Sequence, residues 1–307
     1  MLETSRPAPQ YPSKTDAPDL LAGAYRYCRQ ITRFHAKSFY FCAHFLPPEK
    51  QRAIYAVYAL CRHVDDAVDG AGVRDEIEAR RAIEKWRGRL DAVYRGDTAA
   101  ATSSPVLIAW RDILTHYPIK QELPLELMRG VLMDTYRKRY ESWAELRLYC
   151  YRVASVVGLM SSEIFGYREP ETLRYAEDLG LAMQLTNILR DVGEDLRLGR
   201  IYLPLEDLNR FHVTEAELER GNVSDNFRAL MRFEIERARA LYREAEKGIP
   251  LLDREARFTV LLAARLYARI LDEIERLDFD VFKQRAHLSF FGKLRAAPRV
   301  WREARRL

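Results

Sequence analysis

Helical periodicity runs through almost the whole of this 307-residue chain and restricts its fold more than any other feature. From Leu20 onward, apolar residues recur three and four positions apart, and no segment alternates polar and apolar residues between turn signals. Pro47 and Pro48 suit the start of one helix, and Gly70 and Gly72 suit its end. We therefore predict an all-α protein. The predicted helices cover residues 19–44 (one or two helices), 48–69, 74–95, 105–116, 124–139, 143–165, 170–195, 214–220, 224–247 and 254–277, with a loop at 97–105.

The chain shows one long helical region between two segments of different composition. Residues 1–18 are rich in Pro, Ser and Thr and are predicted to be a disordered leader. Residues 19–290 contain neither a linker nor a fixed-period repeat, and we predict that they form one helical domain. Residues 291–307 form a basic C-terminal tail.

Composition excludes several classes of protein. A net charge of +5 spread over a highly charged chain is weak evidence for a nucleic-acid partner, and no motif for one is present. Cys28, Cys42, Cys61 and Cys150 form no CxxC pair, which favours reduced thiols and a cytoplasmic protein. We also find no signal peptide, and no apolar run reaches the ~18 residues that a membrane-spanning helix needs. The sequence therefore predicts a soluble or peripheral protein.

Two acidic clusters on predicted helices carry most of the chemical information. The first contains Asp65 and Asp69, and the second contains Asn187, Asp191 and Asp195. Residues four apart share one helix face and are separated by roughly 6 Å along the axis. Carboxylates in this arrangement, with Arg62 and Arg190 beside them, suit Mg²⁺ ions that bridge to a diphosphate. A solvated helix face explains one such cluster equally well, but explains two of them poorly.

Four segments together resemble the squalene/phytoene synthase family, and the resemblance covers roughly residues 20–290. They are His35-Ala36-Lys37-Ser38-Phe39, residues 62–69, residues 149–158, and residues 184–203 with Leu-Thr-Asn-Ile-Leu-Arg-Asp-Val-Gly-Glu-Asp followed by Tyr-Leu-Pro. The resemblance implies a class I terpenoid synthase fold, a single antiparallel helical bundle around a central cavity. The two acidic motifs are expected to face each other across the mouth of that cavity.

The family's reaction joins two identical prenyl diphosphates head to head. The resemblance implies that two geranylgeranyl diphosphates condense to phytoene through a cyclopropylcarbinyl diphosphate (prephytoene diphosphate), with release of pyrophosphate. Mg²⁺ is the expected cofactor, Mn²⁺ is the alternative metal, and NADPH is not expected for this product. Two farnesyl diphosphates would instead give dehydrosqualene or, with NADPH, squalene.

A different class of function is a non-catalytic prenyl-binding or assembly protein. The intact acidic motifs disfavour it, because non-catalytic members of the wider family have eroded motifs. A metal phosphohydrolase of the HD type needs an adjacent His-Asp pair, whereas His63 and Asp65 are separated by Val64.

The resemblance also assigns roles to individual residues. The assigned metal ligands are Asp65, Asp69, Asn187, Asp191 and Asp195. The four aspartates and Tyr58 are the predicted catalytic residues. The predicted diphosphate-binding residues are His35, Lys37, Ser38, Arg62, Arg190, Tyr267 and Arg285. The predicted tail-binding residues are Phe39, Tyr149, Ala154, Val157, Gly158, Leu159 and Gln184. Asp134 is left out of the predicted site, although it lies on a predicted helix whose face toward the cavity is undecided.

The basic C-terminus has two interpretations of equal weight. It is either a solvated terminal helix or a contact with anionic lipid at the inner face of the membrane. Phe290, Phe291 and Trp301 lie between its basic residues. The oligomeric state is not predicted.

Overall fold

The computed structural model describes residues 17–69, 75–288 and 290–307. The helices are α1 (Ala17–His35), α2 (Lys37–Ala43), α3 (Pro48–Asp69), α4 (Glu76–Tyr94), α5 (Thr98–Ala101), α6 (Pro105–Leu114), α7 (Glu122–Tyr136), α8 (Trp143–Cys150), α9 (Val156–Phe165), α10 (Thr172–Arg197), α11 (Leu205–Arg210), α12 (Glu215–Glu219), α13 (Asp225–Glu246), α14 (Arg254–Arg276) and α15 (Phe290–Ala304). A π turn at Tyr151–Ser155 joins α8 to α9, and a 3₁₀ turn at Ile249–Leu251 follows α13. Over these ranges the sole β-type pairing is an isolated bridge between Tyr167 and Leu252. The predicted all-α class is confirmed.

The sequence-based helix predictions differ from the structure by a few residues at several helix ends and more substantially at three places. The predicted loop at 97–105 contains α5, in which the backbone amides of Ala99 and Ala100 donate to the Asp97 side chain. The predicted helix at 143–165 is interrupted by the π turn. Helix α11 was not predicted, because its six residues follow Pro204 and are too few to show a periodic pattern.

The leader and one predicted helix end fall largely outside the described residues. Residues 1–16 of the leader are not described, whereas residues 17 and 18 lie in α1. Gly70 and Gly72, the predicted end of α3, also lie outside. The division into leader, domain and tail stays a prediction.

Two groups of helices surround the centre of the molecule. Helix α3 packs against α1, α4, α6, α7 and α9, whereas α10 packs against α8, α9, α13, α14 and the π turn. Gly180 allows α10 to approach the π turn closely, since a Cβ at this position would lie 2.4 Å from the Cα of Ser155. Residues of both α3 and α10 line the cavity described below.

The last helix, α15, packs along α14. Val300 is buried in a cluster with Leu262 and Leu266 of α14. The buried Arg257 of α14 donates to the backbone oxygen atoms of Leu252 (2.8 Å) and Leu307 (2.7 Å). No helix in the described part of the chain is long and apolar enough to span a membrane.

Candidate active site

A cavity of about 320 Å³ lies between α3 and α10. Its lining runs from Ile54 to Cys61 on α3 and from Thr172 to Asn187 on α10, and the latter range corresponds to roughly 22 Å of helix. Apolar and small side chains predominate. The lining residues include Phe39, Ala43, Leu46, Tyr58, Val153, Ala154, Val157, Gly158, Phe165, Ala176, Leu179, Met183, Gln184, Leu252, Val260, Ala263 and Tyr267. The space is shaped for a long hydrocarbon chain.

Both acidic clusters lie at the same end of this cavity. Cys61 and Asn187 are the last lining residues of their helices, and Asp65 and Asp191 follow each of them by about one helical turn. A smaller cavity of about 120 Å³, lined by Ser38, Arg190, Tyr267, Arg285 and His287 among others, adjoins this end. Tyr267 lines both cavities, so it marks the boundary between the apolar space and the charged one.

Asp191 is held by two guanidinium groups. Arg190 donates to its two carboxylate oxygens at 2.8 and 2.5 Å, and Arg285 donates to the same oxygens at 2.8 and 3.1 Å. Burial raises the pKa of Asp191, but the two arginines outweigh burial and leave this pKa below its ordinary value. The carboxylate is therefore ionised and paired in the absence of substrate.

The pKa of Asp195, one turn further along α10, is shifted in the opposite direction to that of Asp191. Burial, with the negative charge of Asp191, raises the pKa of Asp195 to about 7. Asp134 and Glu194 add to this effect, and Arg200 opposes it. The excess of negative charge fits a divalent cation, since carboxylate oxygens are the ligands that Mg²⁺ prefers. Among the described side chains, no group of three His, Cys, Asp or Glu residues is close enough to hold a metal ion by itself.

The first cluster carries its own arginine. Arg62 lies 3.4 Å from Asp65 and also pairs with Asp66. Burial, followed by the positive charge of Arg62, lowers the pKa of His35. Helix α3 ends at Asp69, whose side chain lies outside the described part of the structure.

The structure places most of the predicted tail-binding residues in the wall of the large cavity. Phe39, Ala154, Val157, Gly158 and Gln184 all line it, as does Tyr58. Tyr149 and Leu159 are absent from the described lining of this cavity, and their role in binding the tail stays a prediction. Tyr149 is instead buried in a stack with Tyr140 and Tyr202. Leu159 is next to Gly158 on α9, and adjacent helix residues point in different directions.

The residues predicted to bind diphosphate lie near the acidic end of the large cavity, and they differ in their exposure to solvent. Ser38, Arg190, Tyr267 and Arg285 line the smaller cavity. Lys37 is exposed, as is His35. Their roles remain predictions.

Asp134 is a residue of this site that the sequence interpretation left out. Tyr149 and Tyr202 donate hydrogen bonds to its two carboxylate oxygens at 2.9 and 2.7 Å, and Arg200 donates to its backbone oxygen at 3.3 Å. The charge of Asp134 also contributes to the raised pKa of Asp195. The sequence did contain a signal for this role, since Asp134 lies in Met133-Asp134-Thr135-Tyr136 on an apolar helix. A carboxylate on a buried helix face needs hydrogen-bond partners.

Comparisons with known proteins establish the class of protein to which this fold and this site belong. The squalene/phytoene synthase family model matches residues 32–292, and the chain belongs to this family. A dehydrosqualene synthase crystal structure has the same fold, with a TM-score of 0.86 and 30% identity over 94% of this chain and 99% of that one. A squalene synthase from Alicyclobacillus acidocaldarius gives a TM-score of 0.78 and 28% identity, over 86% of this chain and 97% of that one. The class I terpenoid synthase fold is thus confirmed.

Relatives of higher identity are phytoene synthases. The phytoene synthase of Arthrospira platensis is 42% identical over 301 residues, which cover 94% of this chain and 96% of that protein. The 15-cis-phytoene synthase of Synechocystis sp. is 40% identical over 316 aligned residues, covering 99% of this chain and 91% of that protein.

Proposed function

We propose that this protein is a phytoene synthase that joins two geranylgeranyl diphosphates head to head and releases pyrophosphate. The observation that carries the proposal is the long apolar cavity that ends at two acidic helix faces. The named phytoene synthases at about 40% identity support phytoene as the product, rather than the dehydrosqualene of the less similar dehydrosqualene synthase.

The acidic faces are suited to the departure of the diphosphate. Asp65 and Asp69 on α3, and Asn187, Asp191 and Asp195 on α10, would hold Mg²⁺, with Mn²⁺ as the alternative. When bound, the metal neutralises negative charge that develops on the leaving group.

Arginines complete the binding of the diphosphate. Arg190 and Arg62 occupy the two sides of the site, and a guanidinium can donate two parallel hydrogen bonds to phosphate oxygens. Arg285, which is half exposed, holds Asp191 in the absence of substrate. When metal and diphosphate bind, we expect Arg285 to transfer its hydrogen bonds from Asp191 to the diphosphate, because both compete for the same donors.

The carbocation formed inside the cavity is protected by aromatic rings and by the exclusion of water. Phe39 and Tyr58 both line the cavity, and their ring centroids are 5.6 Å apart. The face of an aromatic ring attracts a cation without forming a bond to it. Burial raises the pKa of Tyr58, which keeps its hydroxyl neutral.

Product analysis tests this function directly. Purified protein is incubated with Mg²⁺ and either C15 or C20 prenyl diphosphate, with and without NADPH, and the products are identified by mass spectrometry. A C40 product from the C20 substrate without NADPH supports the proposal. A C30 product moves the assignment to dehydrosqualene synthase, or to squalene synthase where NADPH changes the product. Absence of condensation and of pyrophosphate release supports a prenyl-binding protein instead.

We further propose that the protein is cytoplasmic and that α15 brings it to the inner face of the membrane, where a hydrocarbon product must go. Helix α15 exposes Arg299 and Arg302, Arg305 and Arg306 are exposed directly after its end, and Trp301 is 48% exposed beside them. Basic residues with an aromatic anchor favour contact with anionic lipid.

Vesicle sedimentation tests the membrane contact. Binding to vesicles with anionic lipid, but not to neutral ones, is expected, and R299E/R302E should weaken it severalfold. The control R87E/R129E makes the same change of charge on α4 and α7 and should bind as the unmodified protein does. An equal loss of vesicle binding in both variants would contradict a specific role for α15.

A further inference from the structure

Tyr175 occupies the end of the large cavity that is remote from the acidic clusters. It lies one turn after the start of α10, whereas Asn187 and the acidic cluster lie toward the other end of that helix. Thr172, Ile249 and Leu252 line the cavity together with Tyr175.

The two ends of the Tyr175 side chain have different surroundings. The ring lines the cavity, while its hydroxyl donates to the exposed Glu171 at 3.2 Å. The guanidinium of Arg174, more than half exposed, lies 4.3 Å from the ring centroid on the solvent side. The ring therefore separates the apolar cavity from water.

Gly248 fixes the position of Tyr175. The glycine backbone lies against the side chain so closely that a Cβ on Gly248 would be 2.3 Å from the Cβ of Tyr175 and 2.7 Å from its Cγ. Gly248 has φ −82°, a conformation that other residues adopt freely, so close approach rather than backbone strain accounts for glycine here.

We infer that Tyr175, seated on Gly248, is the end wall that limits the length of the prenyl chain this protein accepts. The inference rests on the proposed function, which places a prenyl tail in the cavity. A chain that reaches the ring can grow no longer unless Tyr175 moves, and a close-packed wall resists such movement. A smaller residue at position 175 opens the wall, and a larger one at position 248 pushes the ring inward.

Binding of unreactive prenyl thiodiphosphates of C15, C20 and C25 length, measured by calorimetry with Mg²⁺ present, tests the end wall without requiring turnover. Tyr175→Ala should raise C25 affinity relative to C20 by about tenfold, as expected when one steric conflict is removed from an apolar pocket. Gly248→Ala should act in the opposite direction and lower C20 affinity relative to C15.

Tyr167→Ala is the matched control. Tyr167 is also partly buried and donates to a glutamate four residues earlier, Glu163, at 3.1 Å, but it is absent from the described cavity lining. The Tyr167→Ala variant should have the same chain-length preference as the unmodified protein. An unchanged preference in both Y175A and G248A, or an equal change in Y167A, overturns the inference. Lack of a C40 product from the unmodified protein counts against the proposed function alone.

Discussion

At the scale of single residues, two aspartates on one helix face have pKa values that are shifted in opposite directions. Asp191 and Asp195 are four residues apart on α10, yet the pKa of the first is lowered and that of the second is raised. Partners explain the contrast, since Asp191 has two arginines and Asp195 has neighbouring carboxylates. Spacing in the sequence predicted the shared face, but the pairing with Arg285, 94 residues away, depends on the fold.

Arg285→Ala should weaken substrate binding more than it slows the chemical step. Loss of one charge-assisted donor to the diphosphate is expected to raise KM about tenfold, with a smaller change in kcat. Steady-state pyrophosphate release measures both. Lys283→Ala removes an exposed cation two residues away that pairs with Asp280, and should leave KM unchanged. A kcat effect that exceeds the KM effect would contradict this role.

Asp134→Asn should destabilise the protein. The two tyrosines that donate to this carboxylate are buried, and a weaker acceptor costs about 1–3 kcal/mol in the free energy of unfolding. Chemical denaturation measures the change. Combining D134N with Tyr202→Phe should cost less than the sum of the two single changes, because the pair shares one hydrogen bond. Strict additivity would show that Tyr202 and Asp134 do not interact.

At the scale of helices, periodicity predicts long amphipathic elements better than short or irregular ones. Helix α3 has the predicted bounds, and α13 and α14 differ from theirs by about one residue. The π turn at Tyr151–Ser155 was not predicted, because five residues are too few for a change of period to be recognised in the sequence. It nevertheless carries Val153 and Ala154 into the cavity wall.

Helices α8, α11 and α13 meet at a buried charged group. Arg237 of α13 pairs with Glu234 and with Asp207 of α11, both at 2.8 Å, and stacks on Trp143 of α8. Glu234 has no exposed surface. Burial, with some repulsion from Asp207, raises the pKa of Glu234 to about 8 from 4.5.

This shift predicts a pH dependence of stability. Between pH 4.5 and about 8 the folded protein retains a proton on Glu234 that the unfolded chain has lost, so its contribution to stability falls as pH rises. The slope is at most about 1.4 kcal/mol per pH unit. Glu234→Gln removes this contribution, and its free energy of unfolding should vary less over that range. Denaturation at several pH values, with the exposed Glu236→Gln as control, measures it. Equal slopes in the two variants would contradict the assignment.

At the scale of the whole molecule, the fold maintains an apolar cavity that a stable protein would normally fill. The all-helical class and the order of the motifs were evident from the sequence, because they depend on local patterns. A central cavity was expected from the family resemblance, but its lining was not fully predicted, since Tyr149 and Ala154 are only five residues apart yet one lies in a buried stack and the other in the cavity wall. Such differences depend on packing between helices that are distant in the chain.

Neighbouring alanines on α14 allow the cost of this cavity to be measured. Ala263 lines the cavity, whereas Ala264 has no exposed surface and lies in the packed core. Ala263→Phe should place its ring in empty space and leave Tm unchanged or raised, because it fills a cavity. Ala264→Phe should lower stability by about 1–3 kcal/mol through overpacking.

The same pair separates stability from function. Binding of C20 prenyl thiodiphosphate stabilises the folded state and should raise the Tm of the unmodified protein. This ligand-induced shift should disappear in Ala263→Phe, whose ring takes the place of the tail, even though the variant remains folded. Thermal denaturation with and without ligand measures both effects. A ligand-induced shift of normal size in Ala263→Phe would show that the tail binds elsewhere, and a similar loss of Tm in both variants would show that the space beside Ala263 is not open to a side chain.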